Sequence, residues 1–197
     1  MIDRMKRVEA MDVIAAHRGD AVAITGPGAN SGLLYEKADR PATIYNMDMG
    51  YAPAIGLGLA LACPNRTVLI IEGEGSSYAG STVLSSIWRA RPDNLVGVVL
   101  DNGVWGTGGG QEEPTATAFG LDLAGLARAT GWDGTHVHSP SGANELGHVL
   151  ASALRGGGPH FIVCKTRPDK PAPSRPRPRR HQLDCAVLMR THLRGDR

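Results

Sequence analysis

Short apolar runs alternate with helical patterns along most of the chain. The runs have the length of β-strands and are rich in β-branched residues. They are AVAIT (21–25), TIYNM (43–47), TVLII (67–71), LVGVVL (95–100), THVH (135–138) and HFIVCK (160–165). Between them lie the helical patterns YAPAIGLGLALAC, AGSTVLSSIWRA, LDLAGLARAT and SGANELGHVLASALR. This order predicts an α/β fold with a doubly wound, mostly parallel six-stranded sheet and helices on both faces.

Glycine-rich loops follow the first, third and fourth predicted strands. Their sequences are TGPGANSG, EGEGSS and DNGVWGTGGGQ. The carboxyl ends of parallel strands meet at one edge of the sheet, where open α/β folds bind their ligands. Any one of these loops is explained at least as well as a tight turn between a strand and a helix. Their coincidence at one edge favours a ligand site.

The loop after the third strand carries acids at the start of a helix. In EGEGSS (72–77), Glu72 and Glu74 precede the predicted helix, whose free amides and positive end suit a phosphate. An acid beside a phosphate implies a metal ion between them. The segment DNG (101–103) adds the amide oxygen of Asn102 and a backbone carbonyl at the same edge. Oxygen ligands of these kinds are typical of Mg²⁺ or Ca²⁺.

Two kinds of nucleotide site fit the loops less well. The first loop has no complete GxGxxG, because its last glycine comes one position late, and no clear ribose-binding acid ends the second strand. A partial match of this kind is weak evidence for a dinucleotide site. The sequence also lacks GxxxxGK[ST], which disfavours a nucleoside triphosphate site.

The composition favours one soluble unit. The chain has 197 residues, of which 42% are hydrophobic and 20% charged. No apolar run is long enough to span a membrane, and the first 17 residues predict a short amphipathic helix rather than a signal peptide. We therefore expect a cytoplasmic protein with no membrane association.

The cysteines and the late histidines offer no clear metal site. Cys63, Cys164 and Cys185 are far apart and odd in number, which argues against a disulfide framework or a zinc site. His136 and His138 alternate on one face of a predicted strand without a Cys or an acid at metal-binding spacing. We expect these two histidines to lie at the surface or to have hydrogen-bond partners within the fold.

Charge divides the chain unevenly. Residues 1–164 carry 11 Lys and Arg against 16 Asp and Glu, whereas residues 165–197 carry 10 against 3. Five prolines between Lys165 and His181 predict an extended tail, followed by a short helix around HQLDCAVLMRTHL. We expect a ligand-binding domain over 1–168 and a basic, proline-rich extension over 169–197. No aromatic residues interleave the arginines, so nucleic-acid binding is disfavoured relative to contact with an acidic partner or with the body.

The motifs resemble those of the thiamine diphosphate-dependent enzymes. GEGS followed by DNGVWG is similar to the family pattern of a GDG triplet and an NN pair, and MDMGYAPAIGLGLALACPNRTVLIIEGEGS resembles the segment that leads into it. LLYEKADRP, MGYAPAIGLGLAL and VVLDNGVWGTGG most resemble sulfopyruvate and phosphonopyruvate decarboxylases. The resemblance covers about residues 5–168 and implies the diphosphate-binding domain.

The resemblance implies a particular ligand set for Mg²⁺. Glu74 supplies a carboxylate, Asn102 its amide, and Val104 a main-chain carbonyl. Most of the family has Asp where this chain has Glu74, but the branched-chain 2-oxo acid dehydrogenases also resemble this chain in having GEG. Asp101 replaces the first Asn of the motif, as in the sulfopyruvate group.

The resemblance also assigns the thiamine diphosphate contacts. Ser76, with the amides of Gly75 and Ser77, should hold the diphosphate, together with the first loop at Gly28 and Ser31. The third loop should supply contacts from Asn102, Val104, Trp105, Gly106 and Thr107.

Two methionines are implied to shape the cofactor. Met49 stands 25 positions before Glu74, where the family has an apolar residue that forces the bent conformation of the cofactor; a plain core methionine is the alternative. The carbonyl of Met47 should accept from the 4′-amino group, although Met47-Asp48 stands where relatives often have Gly-Ser. Trp105 and Gln111 either wall the substrate pocket or lie on an exposed loop without a specific role.

The catalytic glutamate of this family lies on a separate pyrimidine-binding domain, for which this chain has no room. No residue of this chain is therefore a certain catalytic residue. We expect a β-type subunit of a 2-oxo acid decarboxylase, a lyase completed by a pyrimidine-binding α-type subunit in an α2β2 assembly. A carboligase subunit forming acyloins or acetolactate, and a non-catalytic regulatory subunit with a degraded site, are alternatives. Gly108 replaces the glutamate of yeast-type pyruvate decarboxylases, which disfavours simple acetaldehyde release.

Overall fold

An all-parallel, six-stranded sheet forms the centre of the structure, a computed structural model that describes residues 4–106, 113–168 and 177–195. Its strands are β1 (Val22–Thr25), β2 (Thr43–Ile44), β3 (Val68–Gly73), β4 (Leu95–Asp101), β7 (Val137–His138) and β8 (His160–Lys165). They lie in the order β2-β1-β3-β4-β8-β7. A separate antiparallel pair, β5 (Val104–Trp105) and β6 (Glu113–Pro114), follows β4. The predicted fold class is confirmed.

Eight α-helices are described: α1 (Arg7–His17), α2 (Ala29–Ala38), α3 (Ala52–Ala62), α4 (Glu74–Ala79), α5 (Val83–Ala90), α6 (Leu123–Ala129), α7 (Ala143–Ala153) and α8 (Gln182–Gly195). Helix α1 packs against α2 and α7, while α3 packs against α5 and β3. Consecutive residues of β1 and β3 are buried, which requires helices on both faces of the sheet.

Three predicted elements differ in length from the observed ones. The TIYNM strand ends after Ile44, because Asn46 has a positive φ of 53° and turns the chain. The THVH strand is reduced to β7, since residues 134–136 form a turn of 3₁₀ helix. The helix predicted over AGSTVLSSIWRA is divided, so that α4 ends at Ala79 and α5 begins at Val83.

The carboxyl-terminal helix lies on the body of the protein. Helix α8 packs against β2, and its Cys185 and Met189 are buried. The short helix predicted for this segment is confirmed, whereas the division of the chain at residue 168 stays a prediction. No described helix combines the length and the apolar character that a membrane span requires.

The cysteines and the late histidines have ordinary roles in packing. Cys164 is buried, Cys63 is partly exposed, and neither forms a disulfide. His138 Nε2 lies 3.2 Å from His160 Nδ1, and His136 Nδ1 lies 3.1 Å from the carbonyl oxygen of Pro159. These histidines therefore have partners within the fold.

Candidate active site

A cleft of about 360 Å³ opens at the carboxyl ends of β1, β3 and β4. Nine of the sequence-predicted site residues line it: Gly28, Met49, Glu74, Gly75, Ser76, Asn102, Val104, Trp105 and Gly106. Ser31, Met47 and Ser77 do not line it, and Thr107, Gly108 and Gln111 lie outside the described residues. The three glycine-rich loops thus meet at one edge of the sheet.

Glu74 is the first residue of α4 and is only 3% exposed. Its Oε1 accepts a hydrogen bond from Thr115 Oγ1 (3.0 Å), and its Oε2 accepts one from the backbone N–H of Asn102 (3.4 Å). Burial raises the pKa of the Glu74 carboxyl, and the nearby charge of Asp101 adds to this effect. The structure therefore brings Glu74 and Asn102 together, as the motif spacing predicts.

Asn102 is buried in a tight turn after β4. Its side-chain Oδ1 accepts from the backbone N–H of Val104 (3.3 Å), and Gly103 has a positive φ of 73°. The turn directs the chain into β5, so that Val104 and Trp105 line the cleft. A carboxylate, an amide oxygen and main-chain carbonyls are therefore available within one small region.

A chain of hydroxyl groups links Glu74 to Asp101. Thr115 Oγ1, which donates to Glu74, lies 3.2 Å from Thr117 Oγ1, which donates to Asp101 Oδ1 (2.7 Å). The other oxygen of Asp101 forms an ion pair with Lys165. The sequence analysis did not predict Thr115, Thr117 or Lys165. These residues lie far from Glu74 and Asp101 in the sequence, and no local motif marks them.

Glu72 lies beneath the cleft and is 1% exposed. Its Oε1 accepts from Ser76 Oγ (2.7 Å), while Oε2 has no hydrogen-bond partner among the described residues. Burial raises the pKa of Glu72 to about 7. A side chain at Gly26 would place its Cβ 2.9 Å from Glu72 Oε1, so the first loop approaches this acid closely.

Ser76 and Ser31 use their hydroxyls to join loops of the site. Ser76 Oγ also accepts from the backbone N–H of Gly50 (3.1 Å). Ser31 is fully buried, and its Oγ accepts from Thr25 Oγ1 (2.9 Å) and from the backbone N–H of Asn46 (3.0 Å). Both serines therefore position the segment between β2 and α3.

That segment carries the two methionines. Met49 is 40% exposed and lines the cleft, so it is not a core methionine. Met47 is partly buried, and its N–H donates to the carbonyl of Thr25 (2.9 Å). Gly50 has φ of +81°, and a Cβ on Gly80 would lie 2.5 Å from its carbonyl oxygen. This close contact between backbones fixes the segment against the end of α4.

Two glycines are required by the shape of the cleft. A Cβ on Gly75 would lie 2.6 Å from Cη2 of Trp105, so the indole packs directly on the start of α4. Gly28 has φ of +93° and ψ of −149°, a conformation that is open essentially to glycine alone. The Trp105 indole therefore covers the backbone at Gly75, whereas the backbone at Gly28 faces open space.

Asn30 is a further residue of the cleft that the sequence did not single out. It is 5% exposed, and its Oδ1 has no hydrogen-bond partner within the described part of the chain. A bound water, ion or ligand can satisfy a buried oxygen of this kind. The signal available in the sequence was its position in the first glycine-rich loop.

The family model of the "Thiamine pyrophosphate enzyme, C-terminal TPP binding domain" matches residues 30–164. The chain belongs to this family.

Across the described residues, no group of three or more His, Cys, Asp and Glu side chains could hold a metal ion.

Two curated relatives illustrate the similarity. Phosphonopyruvate decarboxylase of Streptomyces viridochromogenes is 34% identical over 167 residues, which are 84% of this chain and 41% of that protein. Sulfopyruvate decarboxylase subunit beta of Methanocaldococcus jannaschii is 32% identical over 83% of this chain and 85% of its own length. The chain therefore spans under half of the first relative and most of the second.

Solved structures show the same fold. A putative thiamin diphosphate-dependent enzyme of Mycobacterium smegmatis matches with a TM-score of 0.70 and 22% identity, over 84% of this chain and 32% of that one. The thiamine diphosphate-dependent 4-hydroxybenzoylformate decarboxylase of Rhodococcus jostii RHA1 matches with a TM-score of 0.66 and 22% identity, over 83% and 33%.

Proposed function

We propose that this chain is the β-type subunit of a heteromeric thiamine diphosphate-dependent 2-oxo acid decarboxylase, a lyase. The observation that carries the proposal is the hydrogen bond between the Glu74 carboxylate, at the start of α4, and the backbone N–H of Asn102 in the cleft. The chain that makes this contact belongs to the thiamine pyrophosphate-binding family. The named β subunits among its relatives support the subunit assignment.

The residues of the cleft fit thiamine diphosphate with a divalent cation. Glu74 brings a carboxylate that burial disfavours in its charged form, and a cation would offset that cost. Asn30 Oδ1 has no hydrogen-bond partner among the described residues, and a donor or a cation would satisfy it; the backbone at Gly28, open to glycine alone, lines the same cleft. These features lie on two of the loops that line the cleft.

In this proposal Mg²⁺ is held by the carboxylate of Glu74, the amide of Asn102 and the main-chain carbonyl of Val104. The backbone at Gly75 and Ser77, the hydroxyl of Ser76 and the loop at Gly28 and Ser31 hold the diphosphate. Trp105, Gly106 and Thr107 complete the contacts of the third loop.

Met49 supports the bent shape of the cofactor, and the carbonyl of Met47 accepts from its 4′-amino group. Thiamine diphosphate supplies a carbon nucleophile and an electron sink for the departure of CO₂ from a small 2-oxo acid.

The partner is proposed to be a pyrimidine-binding α-type subunit that supplies the activating glutamate, in a cytoplasmic α2β2 assembly. Exposed apolar side chains support an interface beside the site. Met49 is 40% exposed, Tyr51 61% and Tyr78 47%. Tyr51 is at the start of α3, directly after the Met49 segment, and Tyr78 is on α4. Apolar side chains grouped in this way are typical of subunit contacts.

The test is co-expression with a candidate pyrimidine-binding chain, followed by mass measurement and assays of CO₂ release from sulfopyruvate, phosphonopyruvate and pyruvate. We expect a stable complex that decarboxylates at least one of these acids. By calorimetry, the chain alone should bind thiamine diphosphate weakly and only with Mg²⁺ or Ca²⁺. A stable monomer that ignores the candidate chain, with every 2-oxo acid left intact, contradicts the proposal.

A further inference from the structure

Helix α8 and the residues just before it lie beyond the family match, which ends at Cys164. They nevertheless pack on the domain. Cys185 is 0% exposed and Met189 3% exposed, and α8 contacts β2 at the edge of the sheet. The strand it contacts leads directly into the segment that carries Met47 and Met49. The extension is therefore next to the active-site loop in space.

Arg180 anchors the start of this extension. Its guanidinium forms an ion pair with Asp39, whose other carboxylate oxygen accepts from the Tyr45 hydroxyl (2.8 Å). The guanidinium also lies over the rings of Tyr35 and Tyr45, at 5.9 and 6.0 Å from their centroids. Tyr45 is buried and immediately precedes Asn46. The anchor thus fixes the chain at the point where β2 gives way to the loop.

Gln182 makes the contact with the loop itself. Its side-chain Nε2 donates to the carbonyl oxygen of Asn46. Asn46 has φ of +53°, in the left-handed region, which asparagine adopts more readily than other residues with a side chain but less readily than glycine. The N–H of the same residue donates to Ser31 Oγ (3.0 Å) and Thr25 Oγ1 (3.2 Å). The body therefore holds one side of Asn46, and the extension holds the other.

We propose that Gln182 is a positioning residue for the cofactor site, since it holds Asn46 in its left-handed conformation and so sets the placement of Met47 and Met49. The inference rests on the proposed function for its consequence in catalysis. The contact itself is independent of any ligand. The N–H of Met47 donates to the carbonyl of Thr25, and the N–H of Gly50 donates to Ser76 Oγ. The hydrogen exchange of these two amides therefore reports whether the segment stays in position.

The test uses hydrogen exchange and cofactor binding on the full chain. Gln182→Ala removes the donor, and Gln182→Glu keeps the size of the side chain but replaces its N–H₂ group with an acceptor. Leu183→Ala, which truncates a 68% exposed side chain on the same turn of α8, is the control. Loss of one hydrogen bond should raise amide exchange over residues 45–51 by roughly threefold to tenfold, with exchange over 68–79 unchanged. Thermal unfolding of each variant checks that α8 remains docked.

The second measurement is calorimetry with thiamine diphosphate and Mg²⁺ on the complex with the partner chain. Both Gln182 variants should weaken cofactor binding by about threefold to tenfold, whereas the Leu183 variant should not. Unchanged exchange over 45–51 overturns this inference alone, and so does faster exchange with unaltered cofactor affinity. If the unsubstituted complex binds no thiamine diphosphate, the proposed function fails and the inference falls with it.

Discussion

Polar side chains cluster at two places on the sheet: the carboxyl ends of β1, β3 and β4, and the amino ends of β7 and β8. The two clusters differ in how many of their polar groups have hydrogen-bond partners. At the carboxyl ends, buried oxygens of Asn30 and Glu72 have no hydrogen-bond partner among the described residues, and Glu74 is buried beside the charge of Asp101. Burial raises the pKa values of both glutamates. Lys165 pairs with Asp101 at this edge, whereas Asn30 Oδ1 and Glu72 Oε2 lack a partner among the described residues.

At the opposite ends, the polar groups satisfy one another. His138 contacts His160, and the rings of His136 and His160 stack at 5.2 Å between centroids. Trp88 stacks on Trp132, whose indole N–H donates to the carbonyl of Leu84 (2.9 Å). Since the same sheet supports both ends, the difference is not a general property of the fold. The unpaired oxygens at the carboxyl edge are consistent with the ligand site proposed there.

Among the substitutions that test this difference between the two ends, Glu74→Ala is expected to have the largest effect, which is on cofactor binding. The substitution removes the only carboxylate in the proposed cation site, so retention of thiamine diphosphate in the complex should fall by more than about 100-fold. Glu74→Asp should retain most binding, because the shorter acid is the commoner choice in the family. Calorimetry with Mg²⁺ measures both. Tight binding that survives Glu74→Ala, or that needs no metal, contradicts the assignment of Glu74 and Asn102.

The sequence was sufficient for the sheet because each strand is marked by its own apolar run, independent of the rest of the chain. The break between α4 and α5 escaped prediction, since it depends on the close approach of Gly80 to Gly50 from another loop. The same reason applies to Thr115, which reaches Glu74 across 41 positions of sequence. Tertiary contacts of this kind leave no local pattern.

The site was predictable to the extent that its motifs are local. The motifs GEGS and DNGVWG predicted that the loops after β3 and β4 meet. Glu74 and Asn102, from these two loops, are in contact. The sequence could not show that the hydroxyls of Ser31 and Ser76 join loops, nor that Asn30 Oδ1 lacks a partner within the part of the chain that the structure describes. Those properties depend on which side chains are neighbours after folding.

The second expected effect concerns Met49, whose side chain lines the cleft and is not among the proposed cation ligands. Met49→Ala should lower the turnover of the complex by up to about 100-fold, because a cofactor misplaced by about 1 Å loses that much. Its affinity for thiamine diphosphate should change far less. Steady-state kinetics and calorimetry separate the two quantities, and Met49→Leu is the control that keeps an apolar wedge. Collapse of affinity with normal turnover per bound cofactor would contradict the proposed role.

Glu72 provides a test of the buried acids at the carboxyl edge. Its folded pKa of about 7 lies above the ordinary value of 4.5, so the folded chain binds the extra proton. Stability from this group is therefore fully present below pH 4.5 and is lost as the pH rises through 7. Glu72→Gln should stabilise the metal-free chain by about 3 kcal/mol at pH 8 and by nothing at pH 4.

Urea unfolding at the two pH values, with a chelator present, measures the difference. Ser85→Ala is the matched control, because its hydroxyl donates only to the carbonyl of Thr82 on the exposed surface of α5. Equal stabilisation by Glu72→Gln at both pH values would show that the carboxyl is not protonated preferentially in the folded state.

The smallest effect should come from the histidines at the opposite ends, and it should have the opposite sign. Burial lowers the pKa values of His138 and His160 below 6.5, and repulsion from the neighbouring histidines adds to the shift. The unfolded chain therefore takes up protons first, so stability is complete above pH 6.5 and falls as the pH drops through that value.

His160→Gln should make the loss of stability between pH 6.5 and 5 shallower. His148→Gln, at an exposed position on α7, should leave the slope unchanged. Thermal or urea unfolding across this range compares the three proteins, and identical slopes for the unsubstituted chain and His160→Gln would contradict a neutral histidine cluster.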